Sequence, residues 1–404
     1  MAAGEPEEQA RFRAEVRAFL AANAEPRRES DPWAVNFHTT DEEARRHFEA
    51  VRAWQRKLFD AGLAGLTYPK EYGGRGGQPW HERIYNEEAA AYAVPRGYIT
   101  STIAMLAPTL LAHGTEEQRR HYLPRMLSGE DAWCQLFSEP GAGSDLASLA
   151  CRAVRDGDEF VVDGQKVWNS GAQYSDRGML LARTNPDAPK HEGITFLLVD
   201  MRSPGVEVRP LVQATGASGF NEVFLTGVRV PVSDVVGEID GGWAPARTVL
   251  RHESAFIGGG GVQVNPRLVA LARMFGAAGD PVVRQRVASH YIRERVLSLM
   301  GERIKAAARR GGRGGLDPSL LKLFVAESRR LSGDLAAAIA GPHALVAGEP
   351  FQRWLHAEVV GRFAISIGGG TNEVQRNNVA ERVLGLPREP NPYQGRPWRE
   401  TPRS

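Results

Sequence analysis

Four stretches of this chain gather residue types that chemistry needs. Trp133 to Asp145 reads W-C-Q-L-F-S-E-P-G-A-G-S-D, and Val167 to Ser170 reads V-W-N-S. Val249 to Ser254 reads V-L-R-H-E-S, and Gly369 to Glu389 reads G-G-T-N-E-V-Q-R-N-N-V-A-E-R-V-L-G-L-P-R-E. A carboxylate can take a proton, and a hydroxyl can both donate and accept a hydrogen bond. Taken singly, each residue also has a plain explanation. Trp168 is then a strand aromatic, Ser170 a turn residue and Glu139 a loop acid. Glu253 is then a helix-surface carboxylate paired with Arg251 or another arginine.

Other chemical signals fade. The loop from Tyr68 to Gly77 is rich in glycine but lacks the Lys-Ser/Thr end of a phosphate-binding P-loop. His81-Glu82 lacks the second histidine of a zinc helix, and no G-x-S-x-G elbow occurs. Gly258–Gly261 follows no clear strand, so it is no dinucleotide fingerprint. Its glycines are expected to give a ligand room beside the backbone. The single R-G-G-R-G-G run at 310–315 reads as a linker between helices. Cys134 and Cys151 are too few for a disulfide framework and have no partner at metal spacing, so no metal site is expected.

These residues must be positioned by a chain of 404 residues, long enough for several layers sharing a large core. The net charge of +2, from 50 basic and 48 acidic residues, points to neither nucleic acid nor an anionic membrane. Most of the basic residues are Arg, spread along the whole chain in the manner of a GC-rich genome. The acidic start carries no signal-peptide core, and no run approaches a membrane span. A reducing, cytoplasmic setting is expected.

Residues 9–130 show helical spacing, as in Phe12, Val16, Phe19 and Leu20, or Phe48, Val51, Trp54 and Leu58. From Trp133 the pattern becomes β, with Asp-Gly pairs at 156–157 and 163–164 read as hairpin turns of a meander. Strand patterns continue to about Pro231. Helix returns near Gly242, with long helices expected over 284–310, 319–341 and 351–366. The fold class is therefore α+β, with a β module between two helical regions. The divisions are an N-terminal helical domain over 1–131, a middle β domain over 132–238 and a C-terminal helical domain over 239–404.

With its motifs in this order, the sequence resembles the acyl-CoA dehydrogenase family over nearly its whole length. The resemblance implies an N-terminal helical domain, an antiparallel β domain and a C-terminal four-helix bundle, with FAD between the last two. It places Gln135, Phe137 and Ser138 along the pyrimidine side of the flavin. Trp168 matches the indole that packs on the isoalloxazine, and Ser170 the hydroxyl at N5. Thr371 and Glu373 match positions near the diphosphate and ribose. Arg273, or else Arg284, stands for the arginine that reaches a neighbour's FAD. Ser144 matches a residue near the thioester carrier.

Dehydrogenating an acyl thioester needs a carboxylate at the α-carbon, opposite the flavin. Many family members place it immediately before the Gly-Thr of the C-terminal motif, where this chain has Gly369. Gly369 takes no proton but leaves room for a bulky acyl group. The family's second location, after the β domain, is occupied by Glu253, which is the expected base. Ser254 follows where an Arg is usual, so Arg251 or His252 is the cation expected beside the thioester.

The resemblance implies an acyl-CoA or acyl-carrier substrate, electron-transfer flavoprotein as acceptor, a role in fatty-acid and lipid metabolism, and a homotetramer or dimer. Three alternatives share the fold. They are a flavin oxidase or monooxygenase, a dehydrogenase of carrier-protein-bound acyl groups, and a base-deficient partner subunit of a heterotetramer.

Overall fold

The computed structural model describes residues 5–27, 33, 38, 40–259, 266–309, 317–346 and 348–402. Five helices come first: α1 (Glu7–Asn23), α2 (Asp41–Asp60), α3 (Pro79–Ala89), α4 (Tyr98–His113) and α5 (Glu116–Leu127). Their starts are written in the sequence. The Thr40 hydroxyl accepts from Glu43 N at 3.3 Å and caps α2, whose first turn is Asp41-Glu42-Glu43. Thr115 and Gln118 form a reciprocal capping box on α5. The Gln118 side chain also donates to Ser233 O and Val235 O at 2.7 and 2.8 Å, tying the helical layer to the far end of the β layer.

The β layer is one seven-stranded sheet. Its strands are β1 (Trp133–Leu136), β2 (Arg152–Asp156), β3 (Glu159–Val167), β4 (Arg177–Arg183), β5 (Ile194–Asp200), β6 (Val206–Leu211) and β7 (Phe220–Pro231). Pairing is mainly antiparallel. β1, however, runs parallel to β4, with Gln135 opposite Met179. The first Asp-Gly pair makes the β2–β3 hairpin, with Gly157 at φ 64°.

The second Asp-Gly pair corrects the sequence reading. Asp163 and Gly164 lie inside β3, at a register shift against β7, and make no turn. Gly164 is needed there for close approach. A Cβ on it would stand 2.8 Å from Cys151 Cα and 2.7 Å from its Sγ. Both cysteines are free and buried, and burial pushes their thiols up, Cys134 to about 12 and Cys151 to about 11.

The C-terminal helices are α6 (Trp243–Gly259), α7 (Arg267–Met274), α8 (Pro281–Arg309), α9 (Pro318–Ala340), α10 (Pro350–Gly361), α11 (Ala364–Ile367) and α12 (Asn372–Asn378). The helix expected over 351–366 thus breaks after Gly361. The glycine run Gly258–Gly261 ends outside the described residues, and so does most of the run at 310–315.

One hydrophobic core joins the first two layers to α6. Leu106 and Leu110 of α4, Trp133 and Phe137, Phe196 of β5, and Ala246 and Val249 of α6 share it. The tail beyond the bundle returns to the β layer. Trp398 is buried there, its N–H donates to Ala188 O at 2.8 Å, and the Arg183 guanidinium lies over its ring. No helix among the described residues is long and apolar enough to cross a membrane.

Candidate active site

Residues on β1 and α6 meet at Glu253. Along β1 the side chains alternate. Cys134 and Leu136 enter the core on one side of the sheet, and Trp133 and Phe137 enter the core shared with α4 and α6. Gln135 therefore belongs to the α6 side. On α6, Ala246 and Val249 are buried, and Glu253 follows Val249 by four residues on the same stripe. Arg251 falls on the exposed face. The Gln135 side chain hydrogen-bonds the Glu253 carboxylate. Burial raises the Glu253 pKa, and the bond from Gln135 draws it partway back. The surface pairing of Glu253 with an arginine, weighed from sequence, contributes nothing to this shift. Near the same helix, His113 Nε2 lies 2.9 Å from Thr248 Oγ1, and burial lowers the pKa of His113 and of His252.

The stretch after β3 lies directly beneath. Trp168 has φ 64°, in the left-handed region, and its residue is 60% exposed. Left-handed backbone costs a bulky residue about 1–2 kcal/mol, so an aromatic held this way is over-determined by its surroundings. Those surroundings are on either side. Val167 N donates to Ser138 O at 2.9 Å, and Asn169 and Asn221 exchange backbone bonds at 3.1 Å. The Asn169 side chain donates to Gln135 O at 2.7 Å. Gly171 and Gly219 leave room for Tyr98, whose ring and hydroxyl would stand 2.7 and 2.3 Å from an added Cβ.

An exposed indole flanked by half-buried hydroxyls, and a hydrogen-bonding strand beside it, fit a flat heteroaromatic ring with polar edges. Gln135, Phe137, Ser138, Trp168, Ser170 and Glu253 are thus brought together in one place. Sequence reasoning missed Asn169. Its signal was its position between Trp168 and Ser170, where a polar side chain needs a partner if buried.

The remaining candidates form a second group on the bundle. Thr371 caps α12, its hydroxyl accepting from Val374 N at 3.2 Å. Glu373 is exposed and pairs with Arg376 at 3.1 Å. The loop before Thr371 is held by Lys322 of α9, whose Nζ donates to Gly370 O at 2.7 Å, and by Gln375, which donates to Gly369 O at 3.1 Å. Arg273 is exposed at the end of α7. Ser144 is exposed in the loop that Asp145 fastens to Lys190 at 2.7 Å.

Gly369 itself has φ 66°. The missing side chain is therefore also a backbone requirement, because other residues adopt this conformation only under strain. Gly369→Ala is expected to lower stability by about 1 kcal/mol. A shift in the urea midpoint at unchanged slope would record it.

The chain matches three family domains in register with these layers. They are the acyl-CoA dehydrogenase N-terminal domain over residues 6–130, the middle domain over 134–228 and the C-terminal domain over 240–384. It is 40% identical over 388 residues to acyl-CoA dehydrogenase IpdE1 of Mycobacterium tuberculosis, covering 94% of this chain and 98% of that protein. Among solved structures it resembles the Tcur3481-Tcur3483 steroid ACAD, with a TM-score of 0.75 and 32% identity over 96% of this chain and 100% of that one. It also resembles the ChsE4-ChsE5 complex from Mycobacterium tuberculosis, with a TM-score of 0.71 and 31% identity over 96% and 100% of the two chains. The chain belongs to the acyl-CoA dehydrogenase family, whose members are FAD-dependent oxidoreductases acting on CH–CH groups.

Proposed function

We propose that this protein α,β-dehydrogenates an acyl-CoA, with Glu253 taking the α-proton. The observation that carries this reading is the Glu253 carboxylate, drawn onto the buried stripe of α6 and hydrogen-bonded to the strand that also leads to Phe137 and Ser138. The α-carbon of a thioester is a weak acid, so its base must lie within about 3 Å of it. Burial strengthens a carboxylate as a base by raising its pKa.

FAD, when bound, supplies the acceptor for the β-hydrogen as hydride. In this reading Trp168 offers its exposed face to the ring system, and the Ser170 hydroxyl bonds its polar edge. A hydroxyl suits an atom that changes between acceptor and donor. Ser138 and the Gln135–Phe137 backbone line the side of the site nearest β1. Thr371 and Glu373 serve the nucleotide half, and Arg273 that of a neighbouring chain. Gly369 adds no side chain where many relatives carry their base, which leaves space for a bulky acyl group. The exposed face of α6 puts Arg251 at the rim, where it would meet the carrier end of the thioester together with Ser144.

The acyl group we propose is ring-bearing, of the steroid-derived kind. The support is the likeness to a steroid ACAD together with the open space at Gly369. Electrons leave to an electron-transfer flavoprotein. The protein works as an oligomer, through surfaces such as α8, where Tyr291, Ile292, Val296 and Leu299 are exposed. Pairing with a second chain of the same fold fits the two-component names of the two solved relatives.

The test is anaerobic titration of the purified FAD-loaded protein with straight-chain, branched and steroid-type acyl-CoAs, its mass read by light scattering in the same sample. Bleaching of the oxidised flavin band by the steroid-type thioester, in a particle larger than 44.2 kDa, is the expected result. An FAD-loaded oligomer that none of the thioesters bleaches would overturn the reading.

A further inference from the structure

Gln135 is a polar residue on an apolar face. Its strand neighbours on that side, Trp133 and Phe137, are fully buried among Leu106, Leu110, Ala246 and Val249. An amide placed there without a partner costs about 1–3 kcal/mol, so its partners explain it. One partner is the Glu253 carboxylate on α6. The main chain of the same residue is fixed from the other side, by Asn169 Nδ2 donating to Gln135 O at 2.7 Å.

Asn169 is itself immobilised. It is buried, it exchanges two backbone bonds with Asn221 at 3.1 Å, and Asn221 Nδ2 donates to Asn169 O at 2.8 Å. Asn221 Nδ2 also bonds Gln173 Oε1 at 2.5 Å. A rigid relay of amides therefore runs from β7 through Asn169 to Gln135 and ends on Glu253. The relay passes between Trp168 and Ser170, so the groups that would meet the flavin and the group that would take the proton share one anchor.

We propose that Gln135 is the positioning residue of the base: its amide, anchored through Asn169, holds the Glu253 carboxylate in one orientation and stabilises its charged form. An amide N–H bonded to a carboxylate favours the ion, so it opposes the burial that strengthens the base. Gln135 thereby sets how far into the neutral range Glu253 stays deprotonated. The other ionisable groups of this region are accounted for. His113 bonds Thr248, Arg251 and His252 follow on α6, Lys322 of α9 bonds Gly370 O, and His290 and Glu294 of α8 pair at 3.3 Å. None of them contributes to the Glu253 shift, whose causes are burial and Gln135. The inference rests on Glu253 being the base, and its test separates the two ideas.

Gln135→Met and Gln135→Glu are compared with the parent in the full-length, FAD-loaded protein. Infrared difference spectroscopy follows the Glu253 carboxyl through a pH titration, with Glu253→Gln as the blank. The Gln135→Met titration is expected to move to higher pH. Its kcat near pH 6 falls roughly tenfold, the value converges with the parent near pH 9, and KM changes by less than about twofold. Gln135→Glu serves if the Met variant does not fold. Two facing carboxylates share a proton, so the carboxyl titration splits and its upper step rises. A Glu253 titration unmoved in the folded variant overturns the proposal, and so does a loss of kcat that is the same at every pH. If the titration moves but Glu253→Gln remains active, the coupling stands and the assignment of the base fails.

Discussion

Replacing Glu253 with Gln removes acyl-CoA-dependent bleaching while FAD stays bound. The amide keeps the size and the capacity to face Gln135, but it has no basic oxygen. Loss of a positioned base lowers turnover by about a hundred- to ten-thousand-fold. Anaerobic single-turnover reduction of the flavin measures it without the later electron-transfer steps. Because the α-proton leaves only in the transition state, the loss is expected in kcat with KM little changed. A variant that bleaches at the parental rate would remove Glu253 from the mechanism.

The same substitution has a stability signature of predictable sign. Folding raises the Glu253 pKa, chiefly by burial. Between the unfolded value and the raised folded value the native state holds the extra proton. Stability falls as pH rises through that window and stays lower above it. Glu253→Gln carries no such penalty. The variant is therefore expected to gain stability relative to the parent as pH rises from 4 to 8, in parallel urea melts. A group selected for packing would not be left in this condition, whereas a base has to be.

Much of this arrangement is legible in the chain because it follows short-range rules. The spacing of Phe12, Val16 and Leu20 makes α1, Thr40 and Thr115 start their helices, and Ala246, Val249 and Glu253 fall on one stripe of α6. The three-layer order follows from such patterns, and the motif order identifies the family. What stays hidden depends on partners distant in sequence. Gly164 reads as a turn because Asp-Gly usually makes one, and only Cys151 across β2 shows that it serves a close approach. Gln135 reads as part of a flavin-facing strand, yet its side chain bonds a residue more than a hundred positions away. Trp398 lies beyond the last helix, and its place on the β layer depends on Arg183, which offers no local signal. Parallel pairing of β1 with β4 is hidden for the same reason, since the β2–β3 hairpin lies between them in sequence.

Glu139 shows the difference in another way. The sequence offers it as a loop acid without a task, and the structure gives it a structural one. Lys166 is fully buried, and its Nζ donates to Glu139 Oε1 at 2.7 Å and to Phe137 O at 3.0 Å. The Glu139 carboxylate also accepts from Ala150 N at 2.7 Å and Cys151 N at 2.9 Å. This ion pair therefore fastens the exit of β1, the entrance of β2 and the end of β3, immediately before Trp168. Lys166→Met keeps the length of the side chain but leaves Glu139 enclosed without its cation. Breaking a buried pair on one side costs about 3–5 kcal/mol, because the remaining charge is uncompensated. A drop of that size in urea unfolding is expected, with FAD released more readily since Ser138 and Trp168 lose their common fastening. Lys166→Met/Glu139→Gln removes the orphaned charge and keeps the acceptor for Ala150 or Cys151, so it should recover part of the loss. Equal destabilisation of the single and double variants would mean that the lysine acts through packing and its bond to Phe137 O, and that the charge pair contributes nothing of its own.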